Sequence, residues 1–442
     1  MNSDVSTIAQ RVRDQARALP DLFGRFDFDK APERWAPEAD AVSELSRVRS
    51  IDRAAYLDDP DLLARIREYT MLGDVTGDAY AALMPRLGFQ QTVAMLVEAC
   101  DKGIEAVDDA PPELAALIRE MEQKPEWLDM ELVEEGAAYE RNATANLSPF
   151  LIRGAFIATF LNKYSALPMA LTGTLGQATA ARRVKETATF FATTALPGAL
   201  DRFGPGFKAA AMVRLMHSMV RVNVLSRPGM WDVETYGMPI PQLDQMPAGL
   251  IPVYFLSQEV LAKGRSNFTR LERARVELAR YRCYLLGLPE DLLADTPQEI
   301  VRIWRTRSAT LRYEYDDQVC GGLLRATMDA ELSKDMSPKG QVKRRLEHSV
   351  SRVFFVKAFL AGDEERAATV GVPVRRRDHL IYGATMLGIA GRMAAYRVAS
   401  RLPVVRHLAD RRLVRRIERQ LDGYGRAEFT SNAANYKPAT AG

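Results

Sequence analysis

The segment Val213-Arg-Leu-Met-His-Ser-Met-Val-Arg-Val-Asn-Val224 sets one of only four histidines, His217, in a run that is otherwise almost entirely apolar or basic. Burial there favours the neutral imidazole, and a neutral ring nitrogen is a good ligand for a transition metal or a haem iron. The same ring can also serve as a core histidine satisfied by a backbone carbonyl. On a helix its one-turn neighbours are Val213, Arg214, Val220 and Arg221. A second cluster lies one predicted helix upstream, in Arg182-Arg183-Val-Lys-Glu-Thr187-Ala-Thr-Phe190-Phe191. Helical spacing puts Arg183 and Thr187 one turn apart. A guanidinium and a hydroxyl beside apolar bulk can donate hydrogen bonds to a bound anion or dioxygen. Equally, Arg183 can pair with a carboxylate while Thr187 bonds back to its own helix.

Other chemistries are absent as motifs. His217, His348, His379 and His407 are too far apart in sequence for H-E-x-x-H, H-x-x-x-H or E-x-x-H pairs, so no local zinc or di-iron motif exists. There is no G-x-S-x-G, P-loop or G-x-G-x-x-G, and Gly173-Thr-Leu-Gly176 reads only as a loop. Without C-x-x-C-H, covalent haem attachment is excluded.

The elements that must carry these residues read as helices. Asp59-Pro60 is an N-cap followed by proline at the first helical position. Thr296-Pro-Gln-Glu299 is a capping box opening a helix, and Ala110-Pro-Pro starts another. Further helical patterns cover about 130–145, 148–170, 176–195, 204–225, 267–287, 341–360, 377–400 and 404–420, whereas period-2 alternation is scarce, so the fold is mainly α. Residues 20–55, with Pro20, Pro32 and Pro37 among charges, predict an extended N-terminal arm. Residues 226–253 contain five prolines and three glycines and predict a long loop directly after the histidine segment. The tail after about 427 is expected to fray.

Charge is uneven. The chain of 442 residues carries +3 overall. Residues 338–442 hold 21 Lys+Arg against 9 Asp+Glu, and the remainder 39 against 48. The basic region either packs on the acidic body or meets an anionic partner such as a membrane surface. Leu380–Gly391 is the longest clean apolar stretch. It is shorter than the ~20 residues a span requires, which predicts a buried helix, or else an interfacial one. Three separated cysteines and a polar N-terminus without an apolar signal segment lead to the expectation of a reducing, cytoplasmic location, with peripheral membrane attachment as an option.

Five motifs in order over about residues 65–330 resemble the latex clearing protein (rubber oxygenase) and MpaB-type oxygenase family. They are Leu72-Gly-Asp-Val-Thr-Gly-Asp78, Arg183-x-x-x-Thr187, Val213–Arg221 with His217, Trp231 with Gly237-Met-Pro-Ile-Pro-Gln-Leu-Asp244, and Tyr284–Asp291 with the Thr296-Pro297 cap. The resemblance implies a globin-like helical core holding non-covalent haem b. His217 would be the proximal iron ligand, and Arg183 and Thr187 would line the side where dioxygen binds. Arg214 and Arg221 then become candidates for the haem propionates, or for salt bridges to other helices. Rubber-cleaving members carry a lysine before that threonine. Here Glu186 stands there, a candidate base or proton-positioning group, and Lys185 is displaced by about 100° around the helix. The expectation is therefore an oxygenase acting with dioxygen on an apolar, unsaturated or isoprenoid-like substrate other than polyisoprene itself. A haem-binding sensor or carrier, and a haem-free helical protein binding an anionic membrane surface, are the alternatives. The expected organisation is an arm over 1–64, a haem-binding catalytic domain over 65–337 and a basic helical region over 338–442.

Overall fold

The computed structural model describes residues 2–48, 50–173, 176–333 and 335–424. Of the described residues 71% are helical, and no strand occurs among them. Among the described residues the ladder-like contacts are two isolated bridges, Trp35 with Leu311 and Ser43 with Arg312. Two compact units form, one from residues 1–136 with 200–314 and the other from 137–199 with 315–442.

In the first unit the helix starts follow the predicted caps. The Asp59 side chain accepts from the Leu62 amide and opens Pro60–Thr70. Thr296 accepts from the Glu299 amide and opens Pro297–Thr310. The reciprocal half of that capping box is replaced, because the Glu299 carboxylate accepts from the Thr296 hydroxyl at 2.9 Å. The arm over residues 20–55 is irregular, with one short helix, Pro20–Phe23, and two single 3-10 turns. It is tied down by Arg53, whose guanidinium donates to the carbonyls of Ala36, Glu38, Ala39 and Ala309.

The predicted loop over 226–253 is shorter than expected. A helix, Met246–Ala262, starts inside it and runs through Pro252. Proline removes one intrahelical hydrogen bond. Burial of Leu250, Val253 and Leu256 on the same helix offsets that loss.

The second unit is organised around a fully buried guanidinium. Arg153 makes two hydrogen bonds of 2.9 Å to the Glu347 carboxylate. It also donates to the carbonyls of Thr327, Met328 and Ala330. Ile157, Phe160, Leu323, Leu324 and Phe355 form the apolar core beside it. The single pattern expected over 148–170 breaks into Ser148–Ala158, a 3-10 turn and Lys163–Leu171. The break falls at Asn162, an extended residue whose side chain caps the second helix.

The stretch Leu380–Gly391 departs from the expectation of a buried helix. It lies on the Arg376–Arg401 helix, where only Asp378 and Ile389 are buried, while Leu380 and Leu387 are 75% and 76% exposed. No single helix among the described residues is long and apolar enough to cross a membrane. Cys100, Cys283 and Cys320 are all buried. The expected frayed tail lies outside the described residues, as do Thr174 and Leu175 of the Gly173–Gly176 loop.

Candidate active site: the histidine helix and the Arg183 helix

His217 sits in the middle of the Pro205–Leu225 helix of the first unit. Most of that helix is buried, but Val213, Met216 and His217 are only half-buried and share one face. The imidazole is the one polar group of that patch, and its Nδ1 is shielded from solvent.

A second face, centred about 100° around the helix, carries Arg214, Ser218 and Arg221, and all three are buried. Arg214 donates to both oxygens of Asp74, at 2.5 and 2.8 Å, to the Thr76 hydroxyl at 3.0 Å, and to Glu120. Arg221 donates through Nε to Asp78, at 2.8 and 3.0 Å, and through Nη1 to the carbonyls of Pro239 and Ile240. These two guanidiniums, expected as propionate partners or as interhelical salt bridges, thus take up internal carboxylates one turn to either side of His217.

Four of the five motifs meet here although they are far apart in sequence. In Leu72–Asp78, Asp74 caps the Val75–Ala81 helix by accepting from the Gly77 amide, and it grips Arg214 as well. A Cβ on Gly77 would stand 2.5 Å from Ser218 Oγ, so only glycine allows this approach. The Met238 and Gln242 amides of the following loop donate to Thr70 and Leu72 carbonyls. Ile240, whose carbonyl Arg221 holds, has φ +47, a strained value for a β-branched residue. Asp244 is held between Arg34 and Arg307. In the Tyr284–Asp291 motif, Gly287 adopts φ +88, and a Cβ there would stand 3.1 Å from Arg214 Nε. The carboxylates Asp74, Asp78 and Glu120 were not singled out from sequence. Their signal was the pairing of aspartates four apart with arginines seven apart.

The electrostatics of this cluster are coupled. Burial raises the Asp78 carboxyl from its ordinary 3.8 to about 6, with the Asp74 charge adding and Arg221 opposing. Burial pushes Asp74 the same way, but the charge and hydrogen bonds of Arg214 outweigh it and hold Asp74 below its ordinary value. The two aspartates titrate as a pair, and one proton belongs mainly to Asp78.

A carboxyl raised on folding takes up its proton in the folded chain first. Its contribution therefore favours the fold in acid and is withdrawn as pH rises from about 4 to about 6. The size is ~3 kcal/mol at most. Urea unfolding of wild type and Asp78→Asn across that window should show the stability difference, wild type minus variant, falling as pH rises. A flat difference would overturn the assignment.

The second cluster lies on the Gln177–Thr193 helix of the second unit. Arg183 and Glu186 are both buried and are hydrogen-bonded to each other at 2.9 Å. Glu186 thus faces inward, while Lys185 and Thr187 are only half-buried. Burial raises the Glu186 carboxyl, and Arg183 and then Arg182 oppose the shift. Glu186 Oε1 has no hydrogen-bond donor among the described residues.

The described residues hold no group of three or more His, Cys, Asp or Glu placed to share a metal ion. Among the described residues, the first unit thus presents a histidine on an apolar helix face, and the second a buried arginine–carboxylate pair on the Gln177–Thr193 helix.

Residues 143–391, more than half of the chain, match the family model described as the catalytic domain of ER-bound oxygenase mpaB/B'/rubber oxygenase. The chain belongs to this family of oxygenases. The matched range starts later and ends later than the 65–330 expected from motifs, leaving Leu72–Asp78 outside it. A solved structure of latex clearing protein in the closed state shares the fold, with TM-score 0.54 and 16% identity over 87% of this chain and 95% of that one. No curated protein matches the chain.

Proposed function

We propose that the chain is a haem b-dependent oxygenase that acts with dioxygen on an apolar, unsaturated or isoprenoid-like substrate, with His217 as axial ligand. The observation that carries this reading is the half-buried, otherwise apolar face around His217 on a helix whose other faces are buried. A single imidazole on an apolar surface suits a metal that brings its remaining ligands in a macrocycle. A site built from protein ligands alone needs a cluster of donors, which the described residues lack. The propionates would need cations other than Arg214 and Arg221, whose donors are directed at internal carboxylates. Haem, when bound, would supply the iron that activates dioxygen.

The chain's own residues supply positioning and proton control. Glu186 fixes the Arg183 guanidinium from the same helix, so that group is oriented without an ordering cost at the moment of reaction. Glu186, with its carboxyl raised by burial, can hold or release a proton at Oε1. Thr187, half-buried one turn from Arg183, offers a hydroxyl on the same side of the helix. An acid in place of a lysine favours a substrate other than polyisoprene.

The direct test is the absorption spectrum of the purified protein, as isolated and during titration with haemin. A Soret band supports the reading, and a protein that stays colourless after titration ends it. If Arg183 acts as proposed, Arg183→Ala should lower turnover by about 10²–10³-fold with haem content unchanged. In Glu186→Gln the acid limb of the kcat/KM profile, displaced above 4.5 in the wild type, should disappear. Turnover that survives Arg183→Ala would favour a site built elsewhere. A haem-bound protein that consumes no oxygen with any lipid would favour a carrier.

A further inference from the structure

The Arg376–Arg401 helix carries its apolar residues on the wrong side for a helix whose only neighbour is water. Leu380, Gly383, Ala384, Leu387, Gly391, Ala394 and Val398 recur at three- and four-residue spacing, and every one is exposed. The opposite face, with Asp378, Tyr382, Ile389 and Tyr396, is the one turned inward. From Leu380 to Leu402, roughly 33 Å of helix, the outward face carries no charge until Arg397 and Arg401 at its C-terminal end. The stripe continues into the turn Leu402-Pro-Val-Val405, where Val404 is 87% exposed. An apolar surface of this length on a protein exterior marks an interaction site.

The charges around it say what kind. Arg375, Arg376 and Arg377 stand exposed at one end, and Arg397, Arg401 and Arg406 at the other. Between Arg375 and Arg412 the sequence has nine arginines and two carboxylates. Both carboxylates are engaged: Asp378 is buried and accepts from Ser349, and Asp410 pairs with Arg141. The nearby Glu364 is occupied by His379 at 2.8 Å. A second copy of this helix, parallel or antiparallel, would bring cationic ends together. An anionic lipid surface satisfies both features, with the leucines and valines entering the acyl boundary and the arginines meeting headgroups.

We infer that the Leu380–Val405 face is a docking surface for anionic membranes, on which the protein lies without spanning the bilayer. The inference does not depend on haem binding.

The test uses the full chain with sonicated vesicles of phosphatidylcholine alone and of phosphatidylcholine mixed with phosphatidylserine. Co-sedimentation is expected only with the mixed vesicles and should weaken as salt is raised. Leu380→Asp with Leu387→Asp should abolish it. Arg397→Glu with Arg401→Glu should weaken it on the order of tenfold or more. These side chains are exposed, so circular dichroism should be unchanged. Since the native cysteines are buried, an environment-sensitive dye on Leu387→Cys reports insertion directly and should blue-shift with mixed vesicles. The inference is overturned if the dye does not shift, if the aspartate variant still sediments, or if the wild type is a dimer that these aspartates dissociate and that binds no vesicles.

Discussion

Replacing Arg221 with methionine is expected to lower the free energy of unfolding by about 3–5 kcal/mol. Arg221 is 1% exposed and Asp78 is fully buried, so the substitution leaves an uncompensated carboxylate in the interior of the first unit. It also deprives the Pro239 and Ile240 carbonyls of their donor, and each such buried acceptor costs about 1–3 kcal/mol when left alone. Most of the effect comes from the stranded partner and not from attraction lost. The double variant Asp78→Leu, Arg221→Met should therefore recover a large part of it. Urea denaturation of the two single variants and the double, all at one neutral pH, gives the coupling energy. A single-variant loss below about 1 kcal/mol, or a double variant as unstable as the sum, would show that the pair does not anchor the histidine helix. The strained Ile240 adds a second readout. Its φ of +47 persists in a setting where Arg221 holds the adjoining carbonyls, so the loop after the histidine helix should become the first site of proteolysis in Arg221→Met.

The same cluster shows what the sequence could and could not reveal. Arg214 and Arg221 were legible as a basic face flanking His217, because helical periodicity fixes neighbours within a few turns. Their partners were not, because Asp74 and Asp78 lie some 140 residues earlier and Asp74 reads locally as an ordinary N-cap. One side chain does both jobs, and only the tertiary fold exposes the second.

The Arg376–Arg401 helix failed to be legible for a different reason. Apolar residues on both faces make a buried helix and a surface-docking helix identical as patterns, and exposure of Leu380 and Leu387 alone separates them. Pro252 misled because proline usually ends helices, whereas here the buried side chains on either side of it keep the helix going. Glu186 was ambiguous in register, and burial beside Arg183 resolves its direction. The caps at Asp59 and Thr296 were legible because capping is a local event, settled within three residues.

Replacing His217 with glycine should abolish retention of haem while leaving the fold intact. The two arginines that anchor the helix project from a different face, and their carboxylate partners do not involve the imidazole. Removing the ring therefore cuts the proposed bond to iron without disturbing the buried ion pairs. Glycine in a helix interior costs about 1 kcal/mol relative to alanine, well below the loss expected for Arg221→Met, so His217→Ala serves as the control for backbone effects. Both variants should unfold at denaturant concentrations near wild type and should show no Soret band.

The decisive step is rescue. Imidazole added in solution can enter the space left in His217→Gly and restore haem binding, with a spectrum close to wild type. It should do so less well in His217→Ala, where a methyl group occupies part of that space. A ring that only filled the core would leave haem content unchanged on removal, and soluble imidazole would then alter stability without altering the spectrum. That pattern would assign iron ligation to another residue and leave His217 as a packing element of the first unit.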